Sequence, residues 1–236
     1  MSTTAEVLIY GTIAGLTIPL GGLLSRQDWI RSAWVASELR HAILAFGAGA
    51  LLAAVTLVLV PAGVESLSLP VLTVAYFAGG FAFAWLDLVL ARQQSTLSQV
   101  VAMLTDFLPE CLALGALFVS DLAEAKMLAL LIAVQNLPEA FSAFHEMAGT
   151  NKAPRRVLLL FVLLAPIGPL AAYTGLTLLA DSPELIALIM TFAGGGILYL
   201  MFQEIAPKVV LKNAWFPPMG ALFGFFVGVL GTVLIG

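Results

Sequence analysis

The stretch LALLIAVQNLPEAFSAFHEM, residues 128–147, decides what kind of protein this chain is. Leucine, alanine, isoleucine and valine fill its first part, and the run has the length of a membrane-spanning helix, about 20 residues. Its second part carries a glutamine, an asparagine, a histidine and two glutamates, which are costly groups to place in lipid. The stretch therefore predicts a transmembrane helix with a functional polar face.

The whole chain has the composition of an integral membrane protein. Its 236 residues are 61% hydrophobic and only 10% charged, and the mean hydropathy is +1.05. Soluble domains of this size carry far more charge. We predict an all-α integral membrane protein with eight transmembrane helices in a single domain, residues 1–236. The predicted spans are roughly 6–24, 41–62, 70–92, 97–119, 125–146, 156–180, 185–206 and 215–236.

The charged residues predict how the chain is oriented. Nearly all basic residues lie in or next to the loops after spans 1, 3, 5 and 7, whereas Lys126 lies on the opposite side. The positive-inside rule then places both termini on the non-cytoplasmic side of a plasma or inner membrane. No basic segment precedes span 1, so we expect this span to be retained and not cleaved as a signal peptide. Acidic residues on the outer side either gather cations or only keep the loops soluble: Glu6, Glu65, Asp121, Glu124, Asp181 and Glu184.

A short internal repeat links spans 4 and 5. The segments DFLPECLALGALF, from Asp106, and QNLPEAFSAFHEM, from Gln135, each place a polar residue three positions before Pro-Glu. In each copy the polar residue and the glutamate are four residues apart, so they share one helical face. Because adjacent spans run antiparallel, the two copies resemble facing halves of one site.

The chemistry of this repeat favours a metal ion. Each proline removes a backbone hydrogen bond, which frees the carbonyl groups of Thr105 and Val134. Carboxylates at this depth need compensation, and no lysine or arginine lies in the middle of a span to supply it. Protons or cations remain, and a set of six or more oxygen donors suits a divalent cation. We therefore predict a metal site made of the freed carbonyls together with Asp106, Glu110, Gln135, Asn136 and Glu139.

A polar stripe continues from this site along span 5. Steps of four, three and four residues lead from Gln135 to Glu146 on one helical face. Since span 5 is predicted to run from outside to inside, the stripe indicates a path toward the cytoplasm. The alternative for several of these residues is an ordinary interfacial position. The predicted exit residues are Ser142, His145, Glu146, Gln203 and Glu204.

Other residues have simpler interpretations. Asp87 is expected to form an ion pair with Arg92, and His41 is expected to lie at the membrane interface. Span 8 carries small residues at the spacing of close helix packing. These residues predict either contacts within the bundle or the face of a homodimer: Gly220, Gly224 and Gly228.

The chain resembles the ZIP (Zrt/Irt-like) family of divalent metal transporters. The resemblance rests on eight spans with both termini outside, the Pro-Glu motif in spans 4 and 5, and AGGGILYLMFQEIAP in span 7. It implies a ZIP-like bundle with its metal site halfway along the pathway. In span 4 it implies metal-site positions at Asp106, Phe107 and Glu110, and in span 5 at Gln135, Asn136 and Glu139.

The chain departs from the family pattern at the histidine ligands. Family members read His-Asn-x-Pro-Glu-Gly in span 4, where this chain has Asp106, Phe107, Glu110 and Cys111. Oxygen in place of imidazole makes the site harder, which favours manganese, magnesium or ferrous iron over zinc by comparison. Phe107 also removes a ligand that a second ion needs, so we expect one bound metal ion and not two.

The sequence thus predicts a divalent metal transporter, for zinc, manganese, iron or cadmium, that moves its substrate toward the cytoplasm. We expect no enzymatic activity, no cofactor and no nucleic-acid partner. The expected partners are the divalent metal ion, as substrate, and the lipid bilayer. The first alternative is a non-conducting membrane metal receptor or regulatory relative. Transport of protons or another small solute is a further alternative. An intramembrane metalloenzyme has little support, because a His-Glu-x-x-His motif would need its second histidine at Gly149.

Overall fold

The computed structural model describes residues 2–26, 33–93, 96–149, 153–208 and 215–235. Within these ranges the chain is helical apart from short turns, and it contains no strand. A helix satisfies its backbone N–H and C=O groups internally, as a chain surrounded by lipid must do. Eight helical spans in the described residues are long and apolar enough to cross a membrane, which confirms the predicted fold class. The single-domain assignment stays a prediction.

The helical elements follow the predicted spans closely. In chain order they are Thr3–Ser25 for span 1; Ala33–Ala54, Val55–Leu59 and Val60–Ser66 for span 2; Leu69–Gln93 for span 3; Thr96–Ser120 for span 4; Leu122–Gly149 for span 5; Pro154–Leu164 and Ile167–Leu178 for span 6; Pro183–Leu200, Met201–Ile205 and Ala206–Lys208 for span 7; and Phe216–Ile235 for span 8.

Proline residues explain where the spans depart from regular α-helix. A π-helical turn, Val55–Leu59, precedes Pro61 in span 2, and a second, Met201–Ile205, precedes Pro207 in span 7. Proline donates no backbone hydrogen bond, and a local π adjustment restores partners for the freed groups. Span 6 is interrupted by a turn at Pro166.

The spans pack in two groups of four. Spans 1, 4, 5 and 6 form one group; in the other, span 2 packs along span 8 and against span 7, and span 7 packs along span 3. The groups meet mainly where span 5 contacts spans 2 and 8, and where span 4 contacts span 7. The two spans that carry the internal repeat therefore line the seam between the groups.

Small residues bring the backbones of neighbouring spans into contact. Gly195 of span 7 lies against the carbonyl oxygen of Tyr76 in span 3, and Gly115 of span 4 lies against that of Ala172 in span 6. Any side chain at either glycine would overlap the facing oxygen. Close approach of this kind is how helices associate where lipid removes the hydrophobic drive between them.

The glycines of span 8 pack inside the bundle. Gly220 faces the backbone of Ala42 and Gly224 faces that of Phe46, both in span 2. Gly228 continues the same contact further along span 2. These contacts confirm the prediction of packing within the bundle, and the homodimer stays a prediction.

Gly79 and Gly80 of span 3 provide a matched test of the close packing. A Cβ atom at Gly79 would overlap the carbonyl oxygen of Phe192, whereas one at Gly80 would lie 3.6 Å from that of Gly195. We expect Gly79→Ala to lower the free energy of unfolding by about 1–3 kcal/mol through overpacking. Gly80→Ala should cost nothing. Thermal unfolding in lipid nanodiscs measures the difference, and equal unfolding midpoints would contradict the close contact of spans 3 and 7.

Candidate metal site

A hydrogen-bonded pair joins the two halves of the internal repeat. Nε2 of Gln135 in span 5 donates to both carboxyl oxygens of Glu110 in span 4, at 2.8 Å to Oε1 and 2.6 Å to Oε2. Both side chains are completely buried. Because an NH₂ group carries two hydrogens, one amide engages the whole carboxylate. The pair is the direct polar link between spans 4 and 5.

Amide oxygens beside this pair have no hydrogen-bond partner. Oε1 of Gln135 is buried and unpartnered, and so are both Oδ1 and Nδ2 of Asn136. The side chain of Asn136 is itself completely buried. Leaving such groups unpaired costs about 1–3 kcal/mol each. Two buried amide oxygens without partners, one of them on the residue that binds Glu110, are donors that suit a hard divalent cation.

Asp106 and Glu139 lie one helical turn from the central pair. Asp106 precedes Glu110, is 4% exposed, and accepts a hydrogen bond at Oδ1 from the backbone N–H of Phe107 at 2.9 Å. Glu139 follows Gln135 by one turn and is half-buried. Both carboxylates have further interactions within the protein. Across the described part of the chain, no three His, Cys, Asp or Glu side chains are grouped as metal ligands, so the amides have to extend any donor set.

Two glycines that the sequence analysis did not single out bring neighbouring spans onto the Pro138 segment. A Cβ atom at Gly47 of span 2 would lie 2.8 Å from Cγ of Pro138. One at Gly21 of span 1 would lie 2.5 Å from the carbonyl oxygen of Leu137. Spans 1 and 2 therefore cover the segment and keep lipid away from it. The sequence does not distinguish these two glycines from the rest of the chain's 21 glycines, so it could not predict their contact with Pro138 and Leu137.

Phe107 belongs to the apolar core. Its side chain is completely buried, and the tip of its ring lies against span 6, where a Cβ atom at Gly168 would be 3.1 Å from Cζ. The position that the resemblance matches to an asparagine thus fills the space between spans 4 and 6.

The predicted exit residues lie on the C-terminal parts of spans 5 and 7, at the same face of the bundle. His145 is exposed, and Nη1 of Arg40 in span 2 contacts its Nε2 at 2.6 Å. Glu204 belongs to the π-helical turn Met201–Ile205, and its side chain lies outside the described residues. The other members are half-buried or exposed: Ser142, Glu146 and Gln203.

Asp87 has a contact that the sequence analysis did not expect. Its Oδ2 accepts a hydrogen bond at 3.4 Å from the hydroxyl group of Tyr199 in span 7. The side chain of Arg92, its predicted partner, lies outside the described residues. Asp87 therefore contributes a polar contact between spans 3 and 7.

A family model described as ZIP Zinc transporter matches residues 87–236, which is more than half of the chain. The match includes both copies of the Pro-Glu repeat and the glycine-rich segment of span 7. No curated protein matches the chain. With its eight membrane-spanning helices, the chain belongs to the ZIP zinc transporter family, and is an integral membrane protein of a family that transports divalent metal ions.

Proposed function

We propose that this protein moves a divalent metal ion toward the cytoplasm through a site between spans 4 and 5. The observation that carries the proposal is the buried Glu110–Gln135 pair, which lies beside unpartnered amide oxygens in the seam between the two groups of spans. In lipid, such groups are costly unless they serve a polar ligand. The proposed ligands are Asp106, Glu110, Gln135, Asn136 and Glu139.

Gln135 has to change its partner when a metal ion binds. Its Nε2 engages both oxygens of Glu110, so an approaching cation meets the positive end of the amide dipole. Rotation of the amide by half a turn about its last bond would release the carboxylate and present Oε1 instead. Gln135 thus stabilises Glu110 in the metal-free protein and becomes a ligand in the loaded protein.

The charge distribution supports the proposed direction. Basic residues gather in the loops after the odd-numbered spans, so we propose that these loops lie in the cytoplasm and both termini outside, in a plasma or inner membrane. A metal ion would then approach from the acidic outer side and leave along the stripe on span 5. The proposed exit residues are Ser142, His145, Glu146, Gln203 and Glu204.

We expect the site to favour Zn²⁺ or Cd²⁺ less, and Mn²⁺ or Fe²⁺ more, than a site with histidine ligands does. The proposed ligands offer carboxylate and amide oxygens, which are harder donors than imidazole or thiolate. Phe107 lies against Gly168 and supplies no ligand for a second ion. Elemental analysis of protein exposed to each metal in turn, and washed free of weakly held metal, should find about one ion per chain. Two tightly held ions, or no retention of Mn²⁺, would contradict this expectation.

Glu110→Gln tests transport through the central site. Removing the carboxylate while keeping its shape should lower uptake of radioactive Mn²⁺ into proteoliposomes by at least about tenfold. Glu184→Gln is the matched control, because Glu184 is an exposed acid at the start of span 7. Uptake by Glu110→Gln at the control rate would refute a central role for this residue. Metal binding without uptake by the unaltered protein would favour the non-conducting receptor.

Gln135→Leu tests the role of the amide in the metal-free protein. The substitution leaves Glu110 buried without its donor, so the free energy of unfolding should fall by about 1–3 kcal/mol. In a Glu110→Leu background the same substitution should cost much less, because there is no carboxylate left to stabilise. Thermal unfolding of the four proteins in the presence of a chelator measures this coupling, and additive effects would argue against it.

A further inference from the structure

The N-terminal part of span 2 carries two polar side chains with unpartnered atoms. Glu38 is 4% exposed, and its Oε2 has no hydrogen-bond partner. Nδ1 of His41 is also buried and unpartnered. A buried polar atom without a hydrogen-bond partner costs free energy unless a ligand pairs with it. The sequence predicts only an interfacial histidine here. An interfacial position does not explain why Glu38, on the same helix, is buried.

The helix places the two groups side by side. Glu38 and His41 are three residues apart within Ala33–Ala54, so they project from the same face of span 2. Arg40 lies between them in sequence, but its Nη1 contacts His145 of span 5 at 2.6 Å. This guanidinium nitrogen is therefore directed to span 5. A carboxylate and an imidazole on one face, each with an unpartnered atom, are a common pair of metal ligands.

The location separates this pair from the central site. Gly47 of the same helix lies against Pro138. A Cβ atom added at Gly47 would lie 3.6 Å from the carbonyl oxygen of Gln135. His41 precedes Gly47 by six residues, which is about 9 Å along a helix axis. Span 2 also contacts the segments Met201–Ile205 and Ala206–Lys208 of span 7. Because Arg40, between the two residues in sequence, contacts His145, the pair lies toward the face of the bundle that holds the predicted exit residues.

We propose that Glu38 and His41 bind a divalent metal ion in a second site, which receives the ion after it leaves the central one. The Glu38–His41 pair is softer than the all-oxygen set of the central site. Because it supplies only two protein ligands and water completes the coordination shell, it binds a metal ion weakly. Weak binding is what a release site requires, because the ion must leave again. The role in release rests on the proposed transport direction; metal binding by this pair does not.

The two histidines of the chain make the test specific. They are His41 and His145, and the proposed central site contains neither. Pulsed EPR of bound Cu²⁺ detects the remote imidazole nitrogen of a coordinating histidine. Purified protein without a histidine tag, in lipid nanodiscs with excess Cu²⁺, should show this nitrogen modulation. In a His145→Gln background, which removes the other imidazole, the modulation should persist, and the further change His41→Gln should abolish it.

A second variant keeps the test valid if His41→Gln does not fold. Glu38→Gln should weaken the affinity of the imidazole-bound Cu²⁺ by about tenfold, while Glu65→Gln, at the exposed far end of span 2, should leave it unchanged. The proposal is overturned if the modulation is absent from the His145→Gln protein or survives the further change His41→Gln, or if Cu²⁺ binds the Glu38→Gln protein with unchanged affinity. Since Glu110→Gln removes only the central carboxylate, failure of one site is distinguishable from failure of the other.

Discussion

The burial of the Glu110 carboxylate is the constraint on which the structure around the site depends. A carboxylate taken out of water loses hydration worth several kcal/mol, and lipid offers nothing in return. Here the amide of Gln135 in span 5 compensates for the lost hydration by donating hydrogen bonds to both carboxyl oxygens of Glu110. Because these hydrogen bonds need Gln135 and Glu110 at the same depth in the membrane, they fix the position of span 5 along span 4. They also place Asn136 in a completely buried position beside the pair.

The surrounding helices keep this polar segment inside protein. Gly21 and Gly47 allow spans 1 and 2 to reach the backbone around Pro138, where any larger side chain would hold them off. Because spans 1 and 2 belong to different groups of four, the segment lies where both groups meet. A broken or kinked helix is tolerated in a membrane when protein packs around it. The same seam extends to the contact of Arg40 with His145, so span 2 follows span 5 from the site to one face of the bundle.

The two polar regions along span 2 differ in their chemistry. Gly47 lies against Pro138 and the backbone carbonyl of Gln135 in span 5, while Glu38 and His41 provide a carboxylate and an imidazole about two turns away. If the two proposed sites bind metal, the change from hard donors to a mixed pair would give them different affinities for a cation. Such a gradient would let an ion move on, since tight binding at every position would trap it.

The sequence by itself determined the fold class, the eight spans and the Pro-Glu repeat in spans 4 and 5. These features are encoded locally: length and apolarity make a span, and a spacing of four residues makes a helical face. It also indicated that Gln135 and Glu110 would face each other, since adjacent spans run antiparallel. Only the tertiary structure decided that Gly21 and Gly47 cover Pro138, that Phe107 packs toward span 6, and that Tyr199 contacts Asp87. Those contacts join residues far apart in the chain, and their geometry depends on how whole helices approach one another. Helical periodicity shows which face a residue occupies, but the packing of small residues decides which helix meets that face.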